Sequence, residues 1–191
     1  MRFLPTRLKD VVLVEPDVFK DSRGFFSETY HLKKFEEAGL KTVFVQDNHS
    51  QSKEGTLRGL HGQLRHPQGK LVHVTQGEAF DVAVDARPDS PTFGQWVGEA
   101  LSETNHLLLY IPPGFLHGFC VMSPVAKVEY KCTDFYDPSD EVGVRWDDPD
   151  LAIQWPHRNP ILSAKDAALR AFGEMKAKFE LYRSGPTASG A

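Results

Sequence analysis

The chain has 191 residues, with 22 Lys or Arg against 26 Asp or Glu, so its formal net charge at pH 7 is −4. A hydrophobic fraction of 40% argues against a disordered chain, and the length fits one domain, which we place at residues 1–183 before a disordered tail at 184–191. The mild acidity argues against nucleic-acid and membrane-surface partners, which need a basic field. Two cysteines without a CxxC pair, no signal peptide and no apolar run near about 18 residues indicate a cytoplasmic protein.

Short apolar or alternating runs predict a fold built mainly from β-strands. In chain order, the predicted strands cover residues 11–14, 25–30, 43–47, 70–75, 78–86, 96–101, 107–111 and 125–133. Turn clusters rich in proline and glycine separate them, which is typical of a sandwich or barrel. Helical periodicity predicts a short helix at 31–38, ended by Gly39, and one amphipathic helix across 167–182.

Polar clusters interrupt these strands, and the first two lie at turns and strand ends. Asp21 to Gly24 has the composition of a turn that leads into a strand, which is its structural interpretation. The run Gln46-Asp47-Asn48 stands at a predicted strand end, where its side chains would otherwise cap a turn. Packing requires neither cluster, so both are candidate binding segments.

The segment from Leu57 to Gln63 places an arginine and a histidine on one predicted strand. Strict alternation puts His61 and Gln63 on one face and Arg58 on the other. Arg58 and His61 can therefore share a pocket only if Gly59 permits a bulge or a bend, a common use of glycine in strands. A hydrogen-bonded structural histidine is the competing interpretation of His61.

His117 follows the rigid turn at residues 112–114 with the spacing of the second cupin motif. Metal-binding cupins also need an earlier H-x-H, but Gln63 stands two residues after His61 and the chain contains no H-x-H. Two scattered histidines do not make the ligand set that iron, manganese or zinc prefers. We therefore expect no metal and no other cofactor.

Two further segments offer single chemical groups. On an extended strand Tyr130 and Cys132 share a face, so the phenol can point into a barrel, although a packed tyrosine with a paired hydroxyl is the alternative. Ser163 to Asp166 has the S-x-x-D form of a helix-capping box, which is the structural interpretation of Asp166.

Taken together, these clusters resemble the dTDP-4-dehydrorhamnose 3,5-epimerase family, the metal-free cupins of rhamnose-nucleotide biosynthesis. The resemblance runs from about Val11 to Asp166 and rests on the order and spacing of the segments 21–24, 44–50, 57–63, 69–72, 80–87, 90–97, 111–119, 130–133 and 162–167. It implies an all-β cupin jelly-roll barrel with short peripheral helices and a C-terminal helix. It also implies a homodimer whose protomers exchange strands, with the site at the barrel mouth.

The resemblance assigns roles to particular residues. His61 would be the general base, paired with Asp166, while Tyr130 would be the general acid and Lys70 would lie beside the keto oxygen of the sugar. The residues that would hold the dTDP-sugar, some of them from a partner subunit, are Arg23, Glu28, Gln46, Asp47, Asn48, Arg58, His117, Glu141 and Lys165, with Tyr136 stacking on the thymine.

Two positions depart from the family pattern. Gly62 stands where the family usually has an aromatic residue, and Phe135 replaces the first tyrosine of a Tyr-Tyr pair. The predicted function is the conversion of dTDP-4-dehydro-6-deoxy-D-glucose to dTDP-4-dehydro-L-rhamnose by epimerisation at C3 and C5. The alternatives are a C3-only or C5-only epimerase of a related nucleotide ketosugar, a metal-dependent cupin, and a sugar-nucleotide binder without turnover.

Overall fold

The structure is a computed structural model and describes residues 1–40 and 43–180. Within these ranges the strands are β1 (Arg2–Pro5), β2 (Val12–Glu15), β3 (Val18–Asp21), β4 (Gly24–Ser27), β5 (Gln46–Lys53), β6 (Leu57–Gln63), β7 (Lys70–Gln76), β8 (Glu78–Asp85), β9 (Trp96–Ser102), β10 (Leu108–Ile111), β11 (Phe115–Val121), β12 (Val125–Cys132) and β13 (Glu141–Gly143). The helices are α1 (Leu32–Glu37), α2 (Ala164–Ala167) and α3 (Phe172–Phe179).

Eleven of these strands form two facing antiparallel sheets with jelly-roll topology, and β3 and β4 form a separate two-stranded sheet. One sheet has the order β1-β2-β10-β7-β12-β5, and the other has the order β13-β6-β11-β8-β9. From β5 to β12 the first strand pairs with the last, the second with the second-last, and so on to the β8–β9 hairpin. Such a rolled-up hairpin is the jelly-roll arrangement. The predicted all-β jelly-roll class is confirmed.

Apolar side chains fill the space between the sheets and cover their outer faces. The interior cluster includes Val72, Ala83 and Leu109, while a second cluster joins Val82 and Val84 of β8 to α3. Both faces of β8 are therefore buried, one in the barrel and one beneath α3. The predicted alternation along β8 is correct, and its Asp81 side is the one that faces the barrel interior.

The strand predicted at 43–47 is wrong in its bounds. Val43 and Val45 are exposed, and the strand begins at Gln46 and continues through polar residues to Lys53. The cause is the partner strand, because β12 ends at Cys132, opposite Gln46, so the residues before Gln46 lie beyond the end of the ladder. The predicted 25–30 strand is likewise shorter, since β4 ends at Ser27.

The single helix predicted across 167–182 is also wrong, because α2 and α3 are separate. Arg170 forms a parallel bridge with Val144, and the Arg145 N–H donates to the Arg170 carbonyl at 2.9 Å, which holds the chain extended between them. The predicted apolar stripe is correct within α3, where Phe172, Met175 and Phe179 are buried. Residue 182 and the predicted tail at 184–191 lie outside the described residues, and the 1–183 domain boundary stays a prediction.

The helix predicted at 31–38 is confirmed as α1. Its Phe35 packs on the outer face of the six-stranded sheet against Val14, Leu71 and Leu108. Gly39 ends it with a φ of +81°, a conformation that favours glycine.

Candidate active site

A polar cavity of about 430 Å³ opens at the end of the barrel where β7 begins and β12 ends. This volume suits a small-molecule ligand. Strands of both sheets line it, together with α2. The predicted site residues that line the cavity are Gln46, Asn48, Arg58, His61, Lys70, His117, Tyr130, Tyr136, Glu141, Lys165 and Asp166.

A bulge in β6 brings Arg58 and His61 to the same face. His61 pairs with His117 and Arg58 pairs with Phe119, so β6 has one residue more than β11 between the two pairs. Gly59 has a φ of +111°, and a Cβ there would lie 2.6 Å from the Cα of Gly118. Only glycine fits this close approach without displacing backbone. The bulge that the sequence required for a shared pocket is present.

His61 faces a carboxylate that the start of α2 presents to it. Its Nε2 lies 2.7 Å from Oδ1 of Asp166. Ser163 caps α2 by accepting from the Asp166 N–H at 3.0 Å, and its hydroxyl donates to Oδ2 of Asp166 at 2.8 Å. Burial raises the pKa of the Asp166 carboxyl, but the bonds from His61 and Ser163 outweigh it and leave the pKa below its usual value. The capping motif is therefore structural and also supplies the partner of His61.

A second carboxylate, Glu141, stands on the other side of His61. Its Oε1 is 3.7 Å from Nδ1 of His61 and 2.6 Å from Nζ of Lys165, while the Tyr136 hydroxyl donates to Oε2 at 2.5 Å. Burial works against ionisation of Glu141, yet Lys165 and Tyr136 together hold its pKa below the usual range. Glu141 therefore contacts both the Lys165 ammonium and the Tyr136 hydroxyl at the cavity mouth.

Tyr130 approaches the cavity from the sheet opposite His61. It lies on β12 of the six-stranded sheet, whereas His61 lies on β6 of the five-stranded sheet. Its ring is edge-on to His117 with 6.0 Å between centroids. Burial raises the pKa of the Tyr130 phenol, so the hydroxyl keeps its proton at neutral pH. The cavity therefore has an imidazole–carboxylate pair on one wall and a protonated phenol on the other.

Lys70 is a buried cation at the start of β7, opposite Cys132 of β12. Burial lowers the pKa of its ammonium group, and the nearby Cys132, Asp81 and Glu141 partly oppose this effect. An ammonium in a low-dielectric cavity stabilises developing negative charge more strongly than it would in water.

Replacing Lys70 with methionine is expected to stabilise the fold at pH 7 and to lower kcat by about 10²–10³-fold. Because the folded-state pKa of Lys70 lies below its unfolded value, the unfolded chain binds more protons between the two values. The stability of the native protein therefore rises with pH in that window, which ends near about 10.4. The gain in the variant at pH 7 should be about 1.4 kcal/mol for each unit of pKa depression.

Urea denaturation at a series of pH values between 7 and 10 measures this effect. Lys53→Met, at an exposed position of the six-stranded sheet, is the matched control and should leave the pH slope unchanged. A Lys70→Met protein that is less stable than the native one at pH 7, with the same pH slope, would contradict the assignment.

Three predicted binding residues lie away from the cavity of their own chain. Arg23 stands at the turn of the β3–β4 hairpin and pairs with Asp21, while Glu28 accepts from Nζ of Lys34 at 2.7 Å. Asp47 is on the outer face of the six-stranded sheet, where Nζ of Lys131 lies 3.0 Å from its Oδ1. The fold of one chain thus separates these three from the other predicted residues.

Sequence reasoning missed further residues that line the cavity, namely Ser50, Gln63, Gln68, Phe119 and Ser163. Gln63 fixes the loop that carries Tyr136, since its amide donates to the Phe135 carbonyl at 3.2 Å and its Oε1 accepts from the Asp137 N–H at 2.9 Å. Its alternation with His61 was a usable signal, because it placed both side chains on one face. Nothing in the sequence distinguishes Gln68.

The two departures from the family pattern have different surroundings. A Cβ at Gly62 would meet the Leu116 side chain at 3.1 Å, so a side chain there would face Leu116 beneath the outer surface of the sheet. Gly62 itself lines the cavity. Phe135 is exposed beside Tyr136.

Across residues 1–40 and 43–180, no group of three or more His, Cys, Asp or Glu side chains is arranged to hold a metal ion. No helix in the same ranges is long and apolar enough to cross a membrane. The expectation of a cofactor-free site stays a prediction.

The profile of the dTDP-4-dehydrorhamnose 3,5-epimerase family matches residues 5–174. The chain belongs to this family. The Pseudomonas aeruginosa dTDP-4-dehydrorhamnose 3,5-epimerase is 56% identical over 169 residues, which cover 87% of this chain and 93% of the relative. The family predicted from the sequence is confirmed, and the chain is an epimerase of the isomerase class.

Two further relatives bear on structure and specificity. The crystal structure of the Legionella pneumophila dTDP-6-deoxy-D-glucose-3,5-epimerase in complex with dTDP-4-keto-L-rhamnose is 48% identical, with a TM-score of 0.90 over 93% of this chain and 96% of that one. A Streptomyces niveus protein named dTDP-4-dehydrorhamnose 3-epimerase is 40% identical over 168 residues, which cover 87% of this chain and 81% of the relative. The relatives of this chain therefore include proteins named as 3,5-epimerases and one named as a 3-epimerase. Similarity alone does not decide whether one carbon or both are inverted.

Proposed function

We propose that His61 and Tyr130 epimerise C3 and C5 of dTDP-4-dehydro-6-deoxy-D-glucose, giving dTDP-4-dehydro-L-rhamnose. The observation that supports these roles is the position of the two groups on opposite sheets of one cavity. Inversion at carbon requires a base on one face and a proton donor on the other. An imidazole can serve as the base, and the phenol of Tyr130, whose pKa is raised by burial, can serve as the proton donor.

The 4-keto group of the substrate makes the hydrogens on C3 and C5 acidic. His61 takes one of these protons on the ring nitrogen that is not bonded to Asp166, and the Asp166 carboxylate stabilises the resulting imidazolium. The electron pair of the broken C–H bond moves to the keto oxygen as an enolate, which the Lys70 ammonium stabilises. The Tyr130 hydroxyl then returns a proton to the carbon from the opposite face, and the phenolate and imidazolium exchange protons with solvent.

The remaining cavity residues suit a nucleotide diphosphate. Arg58 and Lys165 provide cations that a chain of net charge −4 must place locally to attract an anion. Gln46 and Asn48 offer amide groups at the same end of the barrel. Tyr136 is exposed at the mouth, where its ring can stack on a base.

NMR of the product formed in deuterated water tests the function directly. Incubation with dTDP-4-dehydro-6-deoxy-D-glucose should place deuterium at both C3 and C5, and the product should have both centres inverted. Label and inversion at C3 alone would favour the single epimerase that the Streptomyces niveus relative represents. Ligand binding without any exchange would favour a non-catalytic binder, and activity lost to a chelator would favour a metal-dependent cupin.

We infer that the enzyme works as a homodimer in which Arg23 and Glu28 act on the partner's cavity. The β3–β4 hairpin that carries Arg23 exposes Phe19, Phe25 and Phe26, an unusual amount of aromatic surface for so short an element. A second copy of the chain would cover these rings and bring the guanidinium to a diphosphate. A cytoplasmic location and the absence of nucleic-acid and membrane partners stay predictions from composition.

Subunit mixing distinguishes this arrangement from one that is complete within a chain. Arg23→Ala and His61→Ala dimers should each be weakly active at low substrate concentration. After subunit exchange, one site of each mixed dimer has both residues intact, so activity should recover to about a quarter of the native level. If Arg23 served its own chain, every mixed site would keep one defect and no activity would return.

A further inference from the structure

The cavity contains a second histidine–carboxylate pair, formed by His117 and Asp81. Nε2 of His117 lies 2.7 Å from Oδ1 of Asp81, and both side chains are buried, with Asp81 at 0% exposure. Among the described residues, Oδ2 of Asp81 has no hydrogen-bond partner. Because an incompletely bonded carboxylate in a protein interior is costly, this aspartate calls for an explanation beyond packing.

The pair stands immediately beside the proposed catalytic groups. His117 is the direct cross-strand partner of His61 in the β6–β11 ladder, so the two imidazoles project from neighbouring positions on one face. The ring of Tyr130 meets His117 from the other sheet. Asp81 reaches His117 from the next strand, β8, where it lies diagonally across the ladder, opposite Phe119. The carboxylate therefore sits behind the cavity wall and does not line the cavity itself.

Charges on every neighbouring element bear on this pair. Lys70 on β7 is a buried cation, and the negative charge of Asp81 partly opposes the lowering of its pKa by burial. Glu99 on β9 stands opposite Asp81 in the ladder, and burial raises the pKa of its carboxyl. The other titratable groups of the cavity and its wall, on β6, β12, β13, α2 and the loop between β12 and β13, are Arg58, His61, Tyr130, Cys132, Tyr136, Glu141, Lys165 and Asp166.

We propose that Asp81 is a positioning residue of the epimerase reaction, which fixes the ring of His117 and supplies the negative charge behind Lys70. Its carboxylate accepts from Nε2–H of His117, which selects one tautomer and leaves Nδ1 as the other ring nitrogen. The fixed ring then packs beside the sugar at the point where His61 and Tyr130 act. The charge of Asp81 also opposes the lowering of the Lys70 pKa by burial.

Asp81→Asn tests this role, because the amide keeps the size and one oxygen acceptor but removes the charge. We expect kcat to fall by about 10- to 100-fold, while the affinity for dTDP stays within about twofold. Loss of the Asp81 charge lets burial lower the pKa of Lys70 further, so the basic limb of the kcat–pH profile should move to lower pH. A merely structural aspartate would not move that limb.

Glu103→Gln is the matched control, since it removes an exposed carboxylate just after β9 that does not bond to His117. It should leave kcat and the pH profile unchanged. A folded Asp81→Asn protein with native kcat, or with a reduced kcat and an unmoved basic limb, would overturn the proposal.

A measurement on the native protein keeps the proposal testable if the variant does not fold. The ¹⁵N resonances of His117 should show a hydrogen-bonded Nε2–H at neutral pH, and an unprotonated Nε2 would overturn the proposal. The inference rests on the proposed function, and the two fail differently. A native enzyme without turnover of the nucleotide ketosugar rejects the function, whereas an active enzyme that is indifferent to Asp81→Asn rejects only the role of Asp81.

Discussion

His61→Ala is expected to lower the exchange of substrate hydrogens at both C3 and C5 by about 10²–10⁴-fold, which is the usual contribution of a general base. The substitution removes the imidazole that faces the cavity carboxylates Asp166, at 2.7 Å, and Glu141, at 3.7 Å. Binding of dTDP should change little, because Arg58 and Lys165 are untouched. Proton NMR in deuterated water measures the exchange, and calorimetry measures the binding.

His66→Ala is the matched control, because His66 is an exposed histidine outside the cavity. It should keep native exchange rates. Native exchange in the His61→Ala protein would show that another group takes the proton and would remove the base from the mechanism. Equal loss of exchange and of dTDP binding would instead show that His61 is needed for the structure of the site.

Tyr130→Phe is expected to separate exchange from inversion. The variant keeps the aromatic packing against His117 but loses the only proposed proton donor on the six-stranded sheet. His61 can still remove a proton and return one to the same face, so deuterium should enter the substrate with retention while inversion falls by about 10²-fold or more. Product stereochemistry by NMR, followed in parallel with deuterium content, measures both quantities.

Tyr110→Phe is the control for removal of a phenolic hydroxyl, because Tyr110 packs with Phe35 on the outer face of the same sheet. It should invert substrate at the native rate. Full inversion by the Tyr130→Phe protein would exclude the phenol as the acid. Loss of both exchange and inversion would indicate that Tyr130 is needed earlier, for orienting the sugar.

Residues close together in sequence were the most predictable part of this site. The Ser163–Asp166 motif predicted a helix cap, and the cap itself orients Asp166 toward His61. Gly59 could permit the bulge that a pocket shared by Arg58 and His61 requires, and the bulge is present. The helix cap involves residues three apart, so local chemistry was sufficient there, whereas the close approach at Gly59 also depends on Gly118 of β11.

Features that depend on distant partners were less predictable. The bounds of β5 follow from where β12 ends, which apolar runs in 43–47 do not reveal. Asp81 lies in a strand with both faces buried, so alternation could not say that it points at His117. The separation of Arg23, Glu28 and Asp47 from the cavity depends on strand placement, which motif order leaves open.

The structure of the protein with bound dTDP-4-dehydro-6-deoxy-D-glucose, or with the product ketosugar, tests the central assignment most directly. The sugar ring should lie between the two sheets, with a ring nitrogen of His61 and the hydroxyl of Tyr130 each within about 3.5 Å of C3 or C5 on opposite faces. The keto oxygen should contact the Lys70 ammonium. A ring bound outside the cavity, or with both groups on one face, would contradict the mechanism.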